Sequence, residues 1–391
     1  MAKSKGITLE QAKDKYSPEM QSLIKEAEGL RTRNASLKRQ AGDYNRLFSD
    51  LVDVIHTVDP MPYKPTQKKS RPDTDIVESL VLMVSDSHPD HILKQERVRF
   101  YEHYGFTPFC HRAERYMDSL FTYCSSLNNR RFDHIYFLLM GDHGSDGDIH
   151  GLSKHSEWKN CIKSSMASGE VYGMMIQDLA AKFPEQGITV VCVSGNHGRF
   201  GKKVNWKEPQ TNWDYLSSMY AYTRCKEMVS AGKVDFVIPD AWSVSLGIHN
   251  WNFVVSHGHQ IRGGNSLGIP HYGIRRNVGN MVALGAVKDI TYNYFLLGHF
   301  HQPTGLPHNT GEVLINGSFL GTTEYLFEEK AAFLQPTQMA FGVSPEDGVT
   351  WRNYFNIRCK DWETKELEEP QRYKVNLFNE TEVYDYELAN Q

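Results

Sequence analysis

Five apolar runs in the central part of the chain each end at a short polar cluster. The runs are typical of buried strands, because each is short, apolar and followed by turn-forming residues. They cover residues 80–84, 135–140, 188–193, 253–255 and 294–297. Helical patterns are predicted at residues 108–127, 158–183, 213–231 and 274–287. Strands that alternate with helices predict an α/β fold with a mainly parallel core sheet.

Three strand-like runs in the second half of the chain follow one another without a helix between them. They lie at residues 234–237, 242–246 and 251–255. Parallel neighbours need a crossover connection, whereas antiparallel neighbours are joined by short turns. The three runs therefore predict a second, more antiparallel sheet that packs on the first.

Residues 1–58 are predicted to form a helical extension. Ser17-Pro18-Glu19 is typical of a helix start, and apolar residues then recur at roughly helical spacing: Leu23, Ala27, Leu30, Leu37, Leu47, Leu51 and Ile55. Two interpretations stay open, because this stripe can pack on the chain's own domain or on a partner helix. The second interpretation predicts a homo-oligomer that forms through the N-terminal helix.

Composition narrows the broad class of protein. The chain has 391 residues, 40% of them hydrophobic, and a net charge of -4, so it can bury a large core and has no overall attraction to nucleic acid or membrane. No apolar stretch is typical of a signal peptide or approaches the roughly 18 residues that span a bilayer. These features predict a cytoplasmic protein.

The polar clusters that follow the five apolar runs contain the residue types that bind divalent metals. They are Asp86-Ser87-His88, Gly141-Asp142, Gly195-Asn196-His197, His257-Gly258-His259 and Gly298-His299-Phe300-His301. Open α/β sheets bind their ligands at the carboxyl ends of the strands, and Asp, Asn and His are common metal ligands. One such cluster is usually an ordinary turn or helix cap. Five clusters together predict a two-metal site.

The spacing within the clusters suggests how the ligands are shared. Asp86 and His88 are two residues apart, so on extended backbone both side chains leave the same face. Asp142 follows a glycine and has two oxygens with which to bridge two ions. His299 and His301, on either side of a turn, are predicted to serve different metals.

The ordered set DxH, GD, GNH, a later His and GHxH, spread over about residues 79–320, resembles the calcineurin-like metallophosphoesterase superfamily. The resemblance implies a four-layer α/β/β/α sandwich with two mixed sheets and a binuclear metal centre. It implies two ligand sets, with Asp142 bridging the ions: Asp86, His88 and His301 for one metal, and Asn196, His257 and His299 for the other. Manganese is the expected metal, with iron, zinc and nickel as alternatives.

The resemblance also implies a reaction type. A metal-bridging hydroxide would attack phosphorus while the cations neutralise the phosphoryl oxygens, and His197 would act as general acid or electrostatic stabiliser near the leaving oxygen. The family position for the partner of this histidine is Ser145 here, so Asp146 is the candidate partner. Arg199 is either a catalytic phosphate contact or a surface residue.

Further residues are candidates for substrate binding. They are His259, which is alternatively a support for the metal ligands, and Arg262, Arg275 and Arg276 around a glycine-rich loop. Aromatic side chains such as Trp206 and Tyr272 are available to stack on bases. These features favour a phosphodiesterase, including a nuclease acting on DNA or RNA. The alternatives are a phosphomonoesterase acting on a small molecule or nucleotide, and a non-catalytic interaction module.

The predicted domain organisation has four parts. Residues 1–58 form the helical extension, residues 59–74 a basic proline-rich linker, residues 75–358 the metallophosphoesterase domain and residues 359–391 an acidic tail.

Overall fold

A computed structural model describes ten stretches of the chain. They are residues 17–56, 59–62, 76–93, 96–99, 103–144, 156–158, 160–262, 269–329, 333–359 and 369–375. The chain divides into two compact units, Met1–Val58 and Asp59–Gln391. Most of the predicted linker and acidic tail, and the candidate Asp146, lie outside the described residues.

The first unit consists of one long helix, α1 (Pro18–His56). Pro18 takes the first helical position, as the sequence predicts, where its missing N–H costs nothing. Met20, Leu23, Leu30 and Leu37 are exposed along this helix, whereas Leu51 and Ile55 near its end are buried.

The second unit contains two mixed sheets. The first has the strand order β11-β10-β1-β2-β3-β4, formed by β1 (Ile76–Val84), β2 (Arg130–Leu139), β3 (Gly187–Cys192), β4 (Val234–Val237), β10 (Thr337–Ser344) and β11 (Gly348–Asn356). The strands β1 to β4 are parallel, and β10 and β11 extend the sheet antiparallel beyond β1. The helices that connect or follow these strands are α2 (Phe106–Ser126), α3 (Cys161–Lys182), α4 (Trp213–Arg224) and α5 (Lys226–Ser230).

The second sheet has the order β5-β6-β7-β9-β8. It is formed by β5 (Ser243–Ile248), β6 (Trp251–Ser256), β7 (Tyr294–Leu297), β8 (Thr304–His308) and β9 (Gly311–Ile315), with helix α6 (His271–Ala286) between β6 and β7. The strands β6, β7 and β9 are parallel, and β5 and β8 pair antiparallel at the two edges.

The two sheets pack face to face through an apolar core. Val81 and Leu138 of the first sheet lie in one buried cluster with Phe253 and Leu296 of the second. A separate cluster packs α2 and α3 on the outer face of the first sheet, and another packs α6 on the outer face of the second. These layers confirm the predicted α/β/β/α sandwich.

Several sequence predictions of the strands and helices were incomplete or wrong. The run at 234–237 is a strand, but it pairs parallel with β3 in the first sheet, because α4 and α5 provide the crossover. The second sheet is less antiparallel than predicted, since α6 allows β6 and β7 to run parallel. The strands β8, β10 and β11 were not predicted. The predicted helix 213–231 is two helices that meet at Cys225.

Within the described ranges, no helix combines the length and the apolar character needed to cross a membrane. The cytoplasmic location stays a prediction.

Candidate metal centre

The carboxyl ends of β1, β2, β3, β6 and β7 bring the five polar clusters together. Three groups of side chains each hold their potential ligand atoms within 4.8 Å of one another: Asp86, His88 and His301; His88, Asp142 and His197; and Asp142, His257 and His299. The groups share His88 and Asp142, so they form one continuous site. This is the arrangement expected of strand ends that meet at one edge of an α/β sandwich.

The Asp142 carboxylate lies between two sets of imidazoles. Its Oδ2 is 3.0 Å from Nε2 of His257 and 3.9 Å from Nε2 of His88. Oδ1 of Asp86 is 3.2 Å from Nε2 of His301 and 4.0 Å from Nε2 of His257. The carboxylate of Asp142 is therefore placed to serve two ions, with His299 and His301 on different sides of the site.

The backbone of the site is strained. Of the eight non-glycine residues with positive φ in the described part of the chain, five are candidate ligands: Asp86 (54°), His88 (38°), Asp142 (56°), His299 (68°) and His301 (57°). This region of φ is uncommon for non-glycine residues and concentrates at functional sites. The sequence argument that extended backbone aligns Asp86 with His88 was therefore wrong, because left-handed turns bring the two side chains together.

Two glycines allow the loops to approach each other. A Cβ atom on Gly141, which has φ of +88°, would overlap the backbone of Gly195 and lie 2.9 Å from Nδ1 of His257. A Cβ atom on Gly195 would overlap the Asp142 side chain. Glycine is required at both positions, since any side chain would push the loops after β2 and β3 apart.

Asn196 shows that the site suits a cation. Its Oδ1 is buried and accepts no hydrogen bond within the described residues. Buried side-chain oxygens are nearly always hydrogen-bonded, and a divalent cation is the partner that the surrounding carboxylates and imidazoles would hold. The residues present therefore fit a metal centre.

Protonation differs among the imidazoles of the site, and a hydrogen bond fixes the orientation of one of them. His257 donates from Nδ1 to the carbonyl of Met140 at 2.8 Å, which leaves Nε2 directed at Asp142. Burial lowers the pKa of His299 to about 3 and that of His88 well below its usual value, so both rings are neutral. Burial acts in the same direction on His257, but the Asp142 carboxylate outweighs it and raises the pKa to about 9.

Asp214, in the first turn of α4, holds the two central loops together, and sequence reasoning missed it. Its Oδ2 accepts hydrogen bonds from the backbone N–H groups of Asp142 at 2.8 Å and Gly195 at 2.7 Å. Its Oδ1 accepts from the N–H of His143 at 2.9 Å. Asn212 caps α4 and donates to the Gly195 carbonyl. In the sequence this pair is indistinguishable from an ordinary helix start.

His197 lies at the edge of the centre. Its backbone N–H donates to Oδ1 of Asp142 at 2.8 Å, and its ring centroid is 4.8 Å from that of His88. Its side chain also joins one of the three potential ligand groups. The predicted partner, Asp146, lies outside the described residues.

The guanidinium of Arg199 is hydrogen-bonded to the backbone of its own turn. Its guanidinium donates to the carbonyl of Asn196, and Nε donates to the carbonyl of Gly201 at 3.1 Å. These bonds hold the turn after the GNH motif. These contacts favour a role for Arg199 as a support for Asn196, whereas the sequence left a catalytic phosphate contact and a surface residue open.

The candidate substrate residues occupy separate positions. The His259 ring lies 5.6 Å from the His257 ring, between centroids, and both of its nitrogens are buried without a hydrogen-bond partner in the described part of the chain. Arg276 lies over the Tyr272 ring and donates to the carbonyl of Arg262. Arg275 instead lines a groove between α6 and the β8–β9 hairpin. The structure therefore does not bring the three arginines together as one patch.

No family model matches the sequence, and no curated protein matches it. Solved structures similar to this chain include a predicted phosphoesterase from Streptococcus pneumoniae, with 10% identity, coverage of 71% of this chain and 97% of that one, and a TM-score of 0.28. An archaeal phosphodiesterase has 12% identity, 70% and 98% coverage and a TM-score of 0.30. Vps29 from Entamoeba histolytica, in complex with zinc, has 12% identity, 71% and 99% coverage and a TM-score of 0.29.

Identities and TM-scores this low assign no activity, substrate or partner to the chain. The layers of the sandwich and the order of the ligand motifs are properties of the chain itself. Both agree with the resemblance to the calcineurin-like metallophosphoesterases that the sequence motifs carry.

Proposed function

We propose that the protein is a metal-dependent phosphoesterase that hydrolyses phosphodiesters. The observation that carries the proposal is the position of Asp142, whose carboxylate belongs to two of the three potential ligand groups. A carboxylate shared between two sets of imidazoles is the arrangement that holds two divalent cations side by side. Manganese is the metal that we propose.

Each ligand set would hold one ion. Asp86, His88 and His301 would surround one ion, and Asn196, His257 and His299 would surround the other, with Asp142 shared between them. When bound, a pair of divalent cations supplies an acidified water and neutralises charge on the phosphoryl oxygens.

The residue that would donate a proton to the leaving oxygen is His197. Its backbone N–H is fixed on Asp142, so the imidazole is held at the rim of the centre beside His88. From this position an imidazole would donate a proton to the leaving oxygen or stabilise the charge that develops there.

The surroundings of Arg199 support a diester over a monoester substrate. A phosphomonoester carries a second negative charge, which a free guanidinium beside the metals would neutralise. Arg199 follows the GNH motif directly, but its guanidinium is bound to backbone carbonyls. A diester needs no such contact. All seven candidate ligands are present, which argues against a non-catalytic interaction module.

The proposal is tested by metal removal and substrate ranking. We expect chelator-treated protein to be inactive and manganese to restore hydrolysis of bis-(p-nitrophenyl) phosphate faster than that of p-nitrophenyl phosphate. The reverse ranking would favour the phosphomonoesterase. Bound manganese without hydrolysis of either compound would favour the interaction module. Turnover of single- and double-stranded DNA and RNA would then decide whether the diesterase is a nuclease.

A further inference from the structure

Three aromatic rings from three different loops pack against one another beside the candidate metal centre. Trp206 lies in the loop between β3 and α4, Trp242 directly precedes β5, and His259 follows β6. The His259 ring centroid is 5.6 Å from that of His257 and 6.4 Å from that of His299. The stack therefore begins at two of the candidate ligands and extends outward.

Trp206 forms the outer layer of the stack and is fixed in place. Its ring is nearly parallel to that of His259, at an interplanar angle of 9° and a centroid distance of 5.4 Å. Trp242 packs edge-on against both rings, at 5.0 Å from His259 and 5.8 Å from Trp206. Its Nε1 also donates to the carbonyl of Trp206 at 3.3 Å. Two rings therefore pack against Trp206, one nearly parallel to it and one at a steep angle.

Trp206 nevertheless remains 50% exposed. Half of the indole surface is therefore open to solvent although two neighbouring rings pack against it. An aromatic ring that its neighbours already hold in place loses little conformational entropy when another ring stacks on it. Scattered exposed apolar residues are normal, but Trp206 packs on His259, which lies beside two of the candidate metal ligands.

We propose that Trp206 is a stacking platform for a nucleobase carried by the phosphodiester substrate, an inference that rests on the proposed function. The phosphate of the substrate must lie at the metal centre. The ring of His259 lies between Trp206 and the candidate ligands His257 and His299. A flat ring attached to a phosphodiester at that distance is a nucleobase. Stacking of this kind tolerates any base, because every base has a π-face. The substrate class is therefore nucleotidyl phosphodiesters.

The test compares two diesters that share a leaving group, using the manganese-loaded full chain. The p-nitrophenyl ester of thymidine 5′-monophosphate carries a base, and methyl p-nitrophenyl phosphate does not. We expect Trp206→Ala to lower kcat/KM for the thymidine ester by about 5- to 150-fold and to leave the methyl ester nearly unchanged. Trp206→Phe should restore part of the loss. Tyr354→Ala, which removes an exposed aromatic ring from β11, is the matched control and should affect neither ester.

Calorimetric titration with thymidine 5′-monophosphate gives a second readout that does not need turnover. We expect Trp206→Ala to weaken this binding by a similar factor. Selective loss of nucleotide binding in a protein that cleaves neither ester would refute the proposed function and retain the platform. Cleavage of both esters with equal loss, or no loss, in Trp206→Ala would refute the platform and retain the proposed function. No binding and no cleavage would overturn both.

A separate feature, in helix α1, supports a second proposal. The exposed residues Leu23, Leu30 and Leu37 are spaced by seven residues. Met20, Ala27 and Asn34 lie at the alternate seam positions of the same heptad register. The helix is exposed on nearly all sides between residues 17 and 39, and a helix without packing is marginal in water.

We propose that α1 pairs in parallel with α1 of a second copy of the chain. Asn34 would meet Asn34 of the second copy only in a parallel, in-register pair, and a single seam asparagine is known to fix this register. Glu26 would face Arg31 of the second copy across the flank of the seam. Arg33 would face Lys38, a like-charged pair, but exposed pairs of this kind contribute little.

Light scattering on the full chain across a concentration series tests the pairing. We expect a dimer for the unmodified chain and a monomer for the variant that combines Leu30→Glu with Leu37→Glu. Leu284→Glu, on the exposed face of α6, should remain dimeric. A monomeric unmodified chain, or a double variant that remains dimeric, would overturn the proposal.

Discussion

Replacing Asp142 with alanine is expected to lower phosphodiester hydrolysis by about 10³-fold or more, because two ions that lose their shared ligand lose several kcal/mol of transition-state stabilisation. The Asp142 carboxylate lies 3.0 Å from Nε2 of His257 and 3.9 Å from that of His88. Without it, Asn196, His257 and His299 keep no carboxylate ligand beside them, and His88 and His301 keep only that of Asp86. Steady-state kinetics with saturating manganese measures the loss.

Two controls separate a lost ligand from a lost fold. Asp142→Asn keeps the shape of the side chain and the acceptor for the N–H of His197, so it should fold and remain nearly inactive. Asp133→Ala removes a half-exposed carboxylate from the same strand, β2, and should keep activity near that of the unmodified protein. Full activity in a folded Asp142→Asn variant would show that the carboxylate does not bridge metals.

Replacing Asp214 with asparagine is expected to weaken manganese binding by about 10- to 100-fold, the usual effect of removing a group that orients metal ligands. Asp214 accepts three backbone N–H groups, from Asp142, His143 and Gly195. An asparagine keeps one acceptor oxygen and presents its NH₂ group to one of these donors. The loops after β2 and β3 would then separate, and the bridging carboxylate would move away from Asn196.

Calorimetric titration of manganese into the chelator-treated protein measures this effect. Asp118→Asn, which removes an exposed charge on α2, is the matched control and should bind metal normally. Addition of excess manganese should recover much of the activity of Asp214→Asn, because the residue positions ligands and contacts no substrate. An Asp214→Asn variant with normal manganese affinity would refute the positioning role.

The buried strands and the ligand motifs were predictable because their signals are local. Tyr294–Leu297 and Val234–Val237 appear in the structure with the predicted bounds. A short apolar run that ends in Asp, Asn or His indicates a strand with polar residues at its carboxyl end. This signal does not depend on which other strands it pairs with. The order of the motifs then indicated the sandwich, and the structure confirms its layers.

Sheet membership depends on distant contacts, and these the sequence does not show. The run at 234–237 joins the first sheet because α4 and α5 carry the chain back to the side of β3. The strand β10 returns from the far end of the chain to pair with β1, and β11 pairs with β10. Neither relation has a local signal.

The site residues that sequence reasoning missed act through tertiary contacts. In the sequence, Asp214 is typical of an acidic residue in the first turn of a capped helix. In the structure, its carboxylate accepts hydrogen bonds from two loops of the candidate metal centre. The sequence left two interpretations of Arg199 open, a phosphate contact and a surface residue, and it does not show that the carbonyls of Asn196 and Gly201 accept hydrogen bonds from this guanidinium. The left-handed backbone conformation of Asp86 and His88 likewise cannot be predicted from the spacing of the two residues.

The most direct test is a count of the manganese that each chain holds, by elemental analysis after desalting, combined with electron paramagnetic resonance. The account predicts two ions per unmodified chain, with the spin coupling of a pair that shares a carboxylate, and loss of that coupling in Asp142→Ala. A chain that holds no manganese, a single ion, or two uncoupled ions would contradict it.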